Sequence, residues 1–448
     1  MPADLRQVQQ GWKVYALVLL SFLSYLSLGY LTTRTEFYQL LGLFGLAFAG
    51  YYFLLKSPLP TRQGLGLSLL FRLVLLFAVP ALSDDYFRFV WDGRLVVHGE
   101  SPFAYLPAHY VETGRLQPLG LTAELYQNLN SPHYYSVYPP VCQVVFWLAV
   151  LFSPDSILGS VVVMRVILLL AEAGTFILGT RLLPLLGLPS RQVLWYALNP
   201  LVIVELSGNL HFEALMIFFL LGALYLLLRH RFWLAALSFG LAVGVKLLPL
   251  MLLPFLFGRL RSGPFVLFCT LVGGTVLLLF VPFLSLEIIG NLLSSVDLYF
   301  RKFEFNASFY YLARWLGFQF YGYNPIARLG PLLSLIVLFT TLYLAYRHRQ
   351  APRILLPHHW LLALTLYLLL STTVHPWYLT TLVALAMFTP WRYLMVWSGM
   401  VVLSYGAYRT ADYEENLWLV ALEYAVVLGW LGVEGWRGKK KGEKPLFT

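Results

Sequence analysis

Long runs of apolar residues, broken by short polar turns, set the pattern of this chain. Val14 to Tyr30, Tyr38 to Leu55, Val266 to Leu284 and Leu332 to Tyr346 are apolar all round, and each is near the roughly 17–25 residues that carry a helix across a bilayer. Barrel strands would alternate apolar and polar positions, so the pattern predicts helices. About thirteen such segments are expected, several of them short. The proline-interrupted piece "VGVKLLPLMLLPFLFG" reads as half-spans or a tight hairpin, a form tolerated where it lines a protein-enclosed cavity. The expected fold class is an all-α polytopic membrane protein, one membrane domain over residues 1–448.

Composition excludes the soluble globular classes: 12% of residues are charged and 59% hydrophobic, against about a quarter charged in soluble domains. The leading "MPADLRQVQQGWK" enters an apolar run with no small-residue cleavage pattern after it, so the first span is expected to be retained. Cys142 and Cys269 lie inside apolar segments, which leaves no disulfide framework. The net charge of +10 comes from basic residues in short turns beside the apolar runs, a topological pattern that implies no nucleic-acid partner.

Those basic turns give an orientation. Arg6, Lys13, Lys56, Arg62, "RHR" at 229–231, "GRLR" at 258–261, "YRHRQAPR" at 346–353, Trp391-Arg392 and the lysine-rich tail read as cytoplasmic. Residues 83–137 and 287–325 then form two large extracytoplasmic loops, with "TTVHPWY" and "RTADYEEN" on the same side and both termini cytoplasmic. Counting alternately from the two ends puts the turn of Arg181 and Arg191 on opposite sides. One segment between 138 and 211 is therefore re-entrant, horizontal or wrongly bounded.

The stretch "SDDYFRFVWDGRLVVHGESPFAY", residues 83–105, gathers acids and arginines just after an apolar run. As a helix it sets Asp85, Phe89 and Asp92 on one face and pairs Asp84 with Arg88; a helix cap with a surface ion pair is the plain alternative. An acid at the membrane edge followed by an amphipathic helix makes a wall where a lipid-phosphate headgroup would lie. Lys246, inside an apolar run, either faces a cavity or partner or snorkels from a short helix end. His375 either partners an acid or caps an interfacial turn whose Trp377 and Tyr378 belong to the aromatic belt. His211 and Glu213 either contact a sugar or form a hydrogen-bonded pair at a segment end. Asn306-Ala307-Ser308 fits a glycosylation sequon, and no phosphate-binding G-x-x-x-x-G-K-[ST] loop exists, so no nucleotide is implied.

The 83–105 stretch resembles the signature of the bacterial multi-spanning mannosyltransferase-like proteins of the GT-C glycosyltransferase superfamily. Their D-x-Y-R-Y-x-W-D-G-R segment and G-x-N/S-P-[YF] turn are matched at Asp85, Arg88, Phe89, Trp91, Asp92, Gly93, Arg94, Gly99, Ser101, Pro102 and Phe103. "YSVYPPVCQVVF", "NPLVIVELSGNLHFEALM", "GLAVGVKLLPLMLLPFL" and "VHPWYL" resemble further elements of that family, so the likeness spans most of residues 83–378.

That resemblance implies a GT-C fold and an inverting transfer of a hexose, mannose by family, from a polyprenyl-phosphate-linked donor to a lipid-linked or glycan acceptor. The site would lie on the extracytoplasmic side of a bacterial cytoplasmic membrane. It implies Asp85 as the base that takes the acceptor proton, with Asp84 the close alternative and His375 its partner. A developing phosphate charge needs a cation, for which Arg88, Arg94, Lys246, Arg301 and Lys302 are candidates. Asp92, His211, Glu213, Trp377 and Tyr378 complete the expected substrate contacts. Ser83 stands where a eukaryotic relative has the first acid of a D-x-D pair, so a bridged divalent ion is not indicated and no cofactor is expected. The rival class is a transporter of the same lipid-linked sugars. A transporter holds its ionisable residues near the midplane between repeated halves, whereas here the acids cluster at a membrane edge without a visible repeat.

Overall fold

The computed structural model describes residues 3–285, 287–301, 303–410 and 413–440; Lys302 lies outside them. Helices make up the fold, and strand pairing among the described residues is limited to isolated bridges. Among the described residues, seven helices are long and apolar enough to cross a membrane: Trp12–Tyr30, Phe37–Lys56, Ile157–Leu185, Ser262–Phe283, Ile326–Arg347, Arg353–Leu370 and Leu417–Gly438. An eighth span is broken, since Pro200–Gly208 and Glu213–Leu228 meet at 113°. This is fewer than the thirteen expected from apolar runs. The remaining runs fold as shorter helices such as Pro140–Phe152 and Phe232–Val245, because prolines and polar turns interrupt them before they reach bilayer length.

Local chemistry explains the breaks. Asn199 accepts from the Leu201 N–H at 3.0 Å and starts the short helix Pro200–Val202, which continues as a π-helix over Ile203–Gly208. Leu210 then takes φ 61°, a left-handed conformation that ends the helix and turns the chain into Glu213–Leu228. The helix Phe232–Val245 ends where Lys246 becomes extended, followed by a 3₁₀ segment over Leu248–Leu256 that contains Pro249 and Pro254. The half-spans expected there are present.

The turns sort into two ends of the bundle. At one end Arg191 donates to the carbonyls of Leu55 and Ser57, the Arg392 guanidinium lies 3.1 Å from the centre of the Trp195 ring system, and Arg353 donates to the Arg259 carbonyl. At the other end Arg34 meets Asp84 and Tyr413, Asn291 donates to the carbonyls of Phe103 and Ala104, and Phe305 pairs with the segment at Thr373. Arg191 and Lys56 thus share an end. Between 138 and 211 the 13-residue helix Pro140–Phe152 is too short to cross, at about 1.5 Å per residue against a ~30 Å core, and Pro200–Gly208 belongs to the bent pair.

That short helix packs along Asp85–Val97. Phe89 and Phe146 stack at 4.7 Å, and a Cβ at Gly93 would come within 2.5 Å of the Phe146 carbonyl oxygen. Glycine at 93 is what lets the two backbones approach.

Candidate active site

Asp84 and Asp85 start the helix Asp85–Val97, and their environments differ. Asp84 forms an ion pair with Arg34 at 2.6 Å, and the Arg34 guanidinium also lies over the rings of Tyr408 and Tyr413 at 5.2 and 5.7 Å. Asp85 is half-buried and accepts a hydrogen bond from Asn130 Nδ2 at 2.7 Å. It carries no ion pair among the described residues. The Asp84–Arg88 pair expected from spacing does not form. Arg88 instead bonds Asp92 at 2.7 Å, one turn on.

Arg88, Asp92 and Arg94 are buried inside the loop layer. Arg88 also donates to the carbonyl of Tyr134 at 2.9 Å, and Asp92 accepts from Ser136 Oγ at 2.5 Å and Gln143 Nε2 at 3.1 Å. Arg94 donates to the carbonyls of Gly120 and Pro154. Arg88 and Asp92 pair with each other inside the fold, as a buried charge must, whereas Arg94 bonds only carbonyls and its Nε has no partner among the described residues. Asp85, Phe89 and Asp92 do share a face, but Phe89 fills its middle, edge-on to Phe212 at 5.3 Å.

Phe212 belongs to the break in the eighth span, and that break brings the second half of the site. Asn209 Oδ1 accepts from the Leu82 N–H at 3.3 Å, which ties the break to the start of the 83–97 stretch. His211 stacks on Trp377 at 3.8 Å, Trp377 on His375 at 4.3 Å, and His375 on Phe305 at 4.9 Å. His211 Nε2 lies 3.3 Å from Glu205 Oε2 but out of hydrogen-bond alignment. Glu205 is held by Tyr405 at 2.6 Å and Asn209 at 3.2 Å. Two buried ring nitrogens in this stack, His211 Nε2 and His375 Nδ1, have no hydrogen-bond partner in the protein. Burial, then the neighbouring His211 and Lys246, push the His375 imidazole down to about 3, so it is neutral at physiological pH.

Lys246, at the end of its half-span, forms an ion pair with Glu213, the first residue of Glu213–Leu228, where a negative charge suits the helix dipole. Its ammonium also sits 4.2 Å from the centre of the Tyr378 ring, and about a third of its side chain remains accessible (36%). Lys246 therefore has partners within the protein, Glu213 and the Tyr378 ring. Arg301 ends the helix Ile288–Arg301. Lys302, the other cation expected nearby, lies outside the described residues.

Sequence reasoning missed Arg34, Asn130, Glu205 and Tyr405. Glu205, an acid inside an apolar run, carried a legible signal; the other three sit in loops or beside aromatics and carried none. It also raised a sequon at Asn306, which is fully buried and donates its side-chain amide to Glu423. That nitrogen is already committed. Among the described residues, no three His, Cys, Asp or Glu side chains gather as a metal site.

The arrangement can therefore do acid–base work with Asp85, offer imidazole nitrogens to hydroxyl groups, stack pyranose faces on aromatic rings and meet an anion with Lys246. Comparison with known proteins agrees with a sugar-handling role. A family model described as alpha-(1->6)-mannopyranosyltransferase, N-terminal domain, matches residues 9–260, which include Asp84, Asp85, His211, Glu213 and Lys246. The alpha-(1->6)-mannopyranosyltransferase A of Corynebacterium glutamicum is 25% identical over 185 residues, covering 40% of this chain and 35% of that relative. The match thus spans about a third of the relative's length.

Proposed function

Because this chain belongs to the alpha-(1->6)-mannopyranosyltransferase family, and is therefore a membrane glycosyltransferase, we propose that it moves a mannosyl group from a polyprenyl-phosphate donor to the 6-hydroxyl of a mannose-containing glycan or glycolipid acceptor. The reaction takes place at the end of the bundle that carries Asp85, on the extracytoplasmic side. The observation that carries this reading is the state of Asp85: a half-buried carboxylate, without an ion pair among the described residues, held by Asn130.

The chemistry is a single displacement. The acceptor hydroxyl attacks the anomeric carbon while the bond from that carbon to the phosphate oxygen breaks, and Asp85 takes the hydroxyl proton as the new bond forms. An inverting displacement that ends in an α-linkage starts from a β-linked donor. The departing lipid phosphate gains negative charge, which the partly accessible Lys246 ammonium stabilises. Trp377 and Tyr378 offer apolar ring faces to the sugar. His375 and His211 offer hydrogen bonds to its hydroxyls, and Asn130 orients the base.

The test is mannosyl transfer by purified protein in nanodiscs, given radiolabelled polyprenyl-phosphate mannose and a cell-envelope lipid extract, with Asp85→Asn alongside. Loss of transfer with donor binding retained supports the assignment. An equally active variant removes Asp85 from the role of base. If neither protein transfers sugar and both carry labelled lipid across a bilayer, the protein is a transporter.

A further inference from the structure

The opposite end of the bundle carries a basic cleft that the transfer reaction does not use. Three turns meet there, at 229–231, 258–261 and 346–353. A cleft of about 280 Å³ opens between them, with His230, Arg261 and Arg353 at its rim and Leu227, Phe232 and Leu260 among its walls. Arg353 donates through Nε and Nη2 to the Arg259 carbonyl at 3.3 and 3.2 Å, which draws its guanidinium over the 258–261 turn. Arg261 is exposed.

What sets this cleft apart is the absence of counter-charge. The sequence has no Asp or Glu between Glu213 and Glu287, and none between Glu304 and Asp412, so none of the three turns carries an acid. Among the described residues no ion pair includes Arg259, Arg261 or Arg353. Arg259, buried next to the cleft, bonds the Phe255 carbonyl and approaches His359 Nδ1 at 3.2 Å, yet its Nε has no partner. Several cations elsewhere do have a carboxylate partner, as Arg72 with Glu172, Arg88 with Asp92 and Lys246 with Glu213 show. A guanidinium pair with apolar walls at a membrane edge matches a ligand that has a phosphate at one end and hydrocarbon at the other.

We propose that this cleft binds the phosphate headgroup of an anionic membrane phospholipid, with Arg261 and Arg353 as its ligands and the acyl chains lying against the apolar wall. The site is separate from the Asp85 site and does not depend on the transferase reading. It is a lipid site because the cleft is too small for a whole amphiphile and opens beside membrane-spanning helices, so a headgroup enters while its chains stay in the bilayer.

Native mass spectrometry of the detergent-purified full chain tests the proposal, with dioleoyl-phosphatidylglycerol, dioleoyl-phosphatidylcholine and inorganic phosphate as probes. The tightest phosphatidylglycerol site is expected to bind about tenfold more strongly than phosphatidylcholine. Arg261→Gln with Arg353→Gln should weaken it about tenfold, and Arg261→Gln alone, at an exposed residue whose loss leaves the fold intact, by about threefold. Arg62→Gln, a basic residue in a different turn of the same end, should leave it unchanged. Equal affinity for the two lipids overturns the proposal, as does an equal loss in Arg62→Gln, which would mean diffuse surface charge. Full displacement by millimolar inorganic phosphate would make it a free-phosphate site.

Discussion

Asn130 donates its side-chain amide to the carboxylate of Asp85 at 2.7 Å, while the adjoining Asp84 is held by Arg34 at 2.6 Å. Two neighbouring acids are thereby given different work. A carboxylate in an ion pair is a poor proton acceptor, since its charged form is already stabilised, whereas Asp85 keeps an oxygen for a substrate proton. Asp85→Asn should lower transfer by about 10²–10⁴-fold, the range expected for a lost general base. Asp84→Asn should cost less than about tenfold, because it removes only a partly exposed pair. Initial rates of mannosyl transfer decide between them, and the opposite order would move the base to Asp84.

Arg88 and Asp92 carry a second expectation. Their pair is buried and embedded among Ser136, Gln143 and the Tyr134 carbonyl. Removing one partner strands a charge, at a cost of about 3–5 kcal/mol. Asp92→Asn should therefore lower the thermal unfolding temperature in detergent markedly. Any protein that remains folded should bind donor with near-normal affinity. A variant as stable as the parent but unable to bind donor would return Asp92 to the substrate contacts.

The pH response of His375 has a defined sign. Its folded pKa lies near 3, below the ordinary 6.5, so the unfolded chain binds the proton more readily. The neutral ring contributes fully above about pH 6.5, and that stability is lost as pH falls from there towards 3. Unfolding temperature should drop across this window, and less steeply in His375→Phe, which keeps a ring between Phe305 and Trp377. Identical slopes for the two proteins would sink the idea.

Arg165 supplies a fourth. It is fully buried in Ile157–Leu185 and donates to the carbonyls of Leu76, Ser207 and Gly208 at 2.7, 2.6 and 2.9 Å. It holds the end of the π-helix in the place from which Asn209 and His211 project. Arg165→Met leaves those carbonyls without donors, at roughly 3 kcal/mol, and should raise KM for donor as His211 loses its register. Arg165→Lys should recover part of both. A change in stability alone would reduce Arg165 to a structural role.

Much of this was legible in the sequence, for physical reasons. Apolar runs reveal helices because hydrocarbon excludes unsatisfied backbone, and Lys246 stood out because an ammonium is costly in an apolar run. The grouping of basic turns followed from charge alone. What could not be read were contacts between distant parts of the chain. Nothing local marks Arg34 as the partner of Asp84, or Asn130 as the partner of Asp85. Spacing also misassigned Arg88, since i,i+4 geometry allows both Asp84 and Asp92, and only burial chooses Asp92. The apolar runs between 138 and 211 read alike in sequence for the same reason, and only the structure shows Pro140–Phe152 as a short helix packed on Asp85–Val97 and Pro200–Gly208 as bent against Glu213–Leu228.

The site is also tied together across a long stretch of chain. Asn306, beside the segment that pairs with Thr373, is fixed by Glu415, Glu423 and Tyr424, the last two on the final described helix, Leu417–Lys440. Phe305, the outer plate of the His375 stack, is therefore anchored by residues more than a hundred positions further along the chain. The stack that carries His211 and His375 depends on how Leu417–Lys440 docks against it.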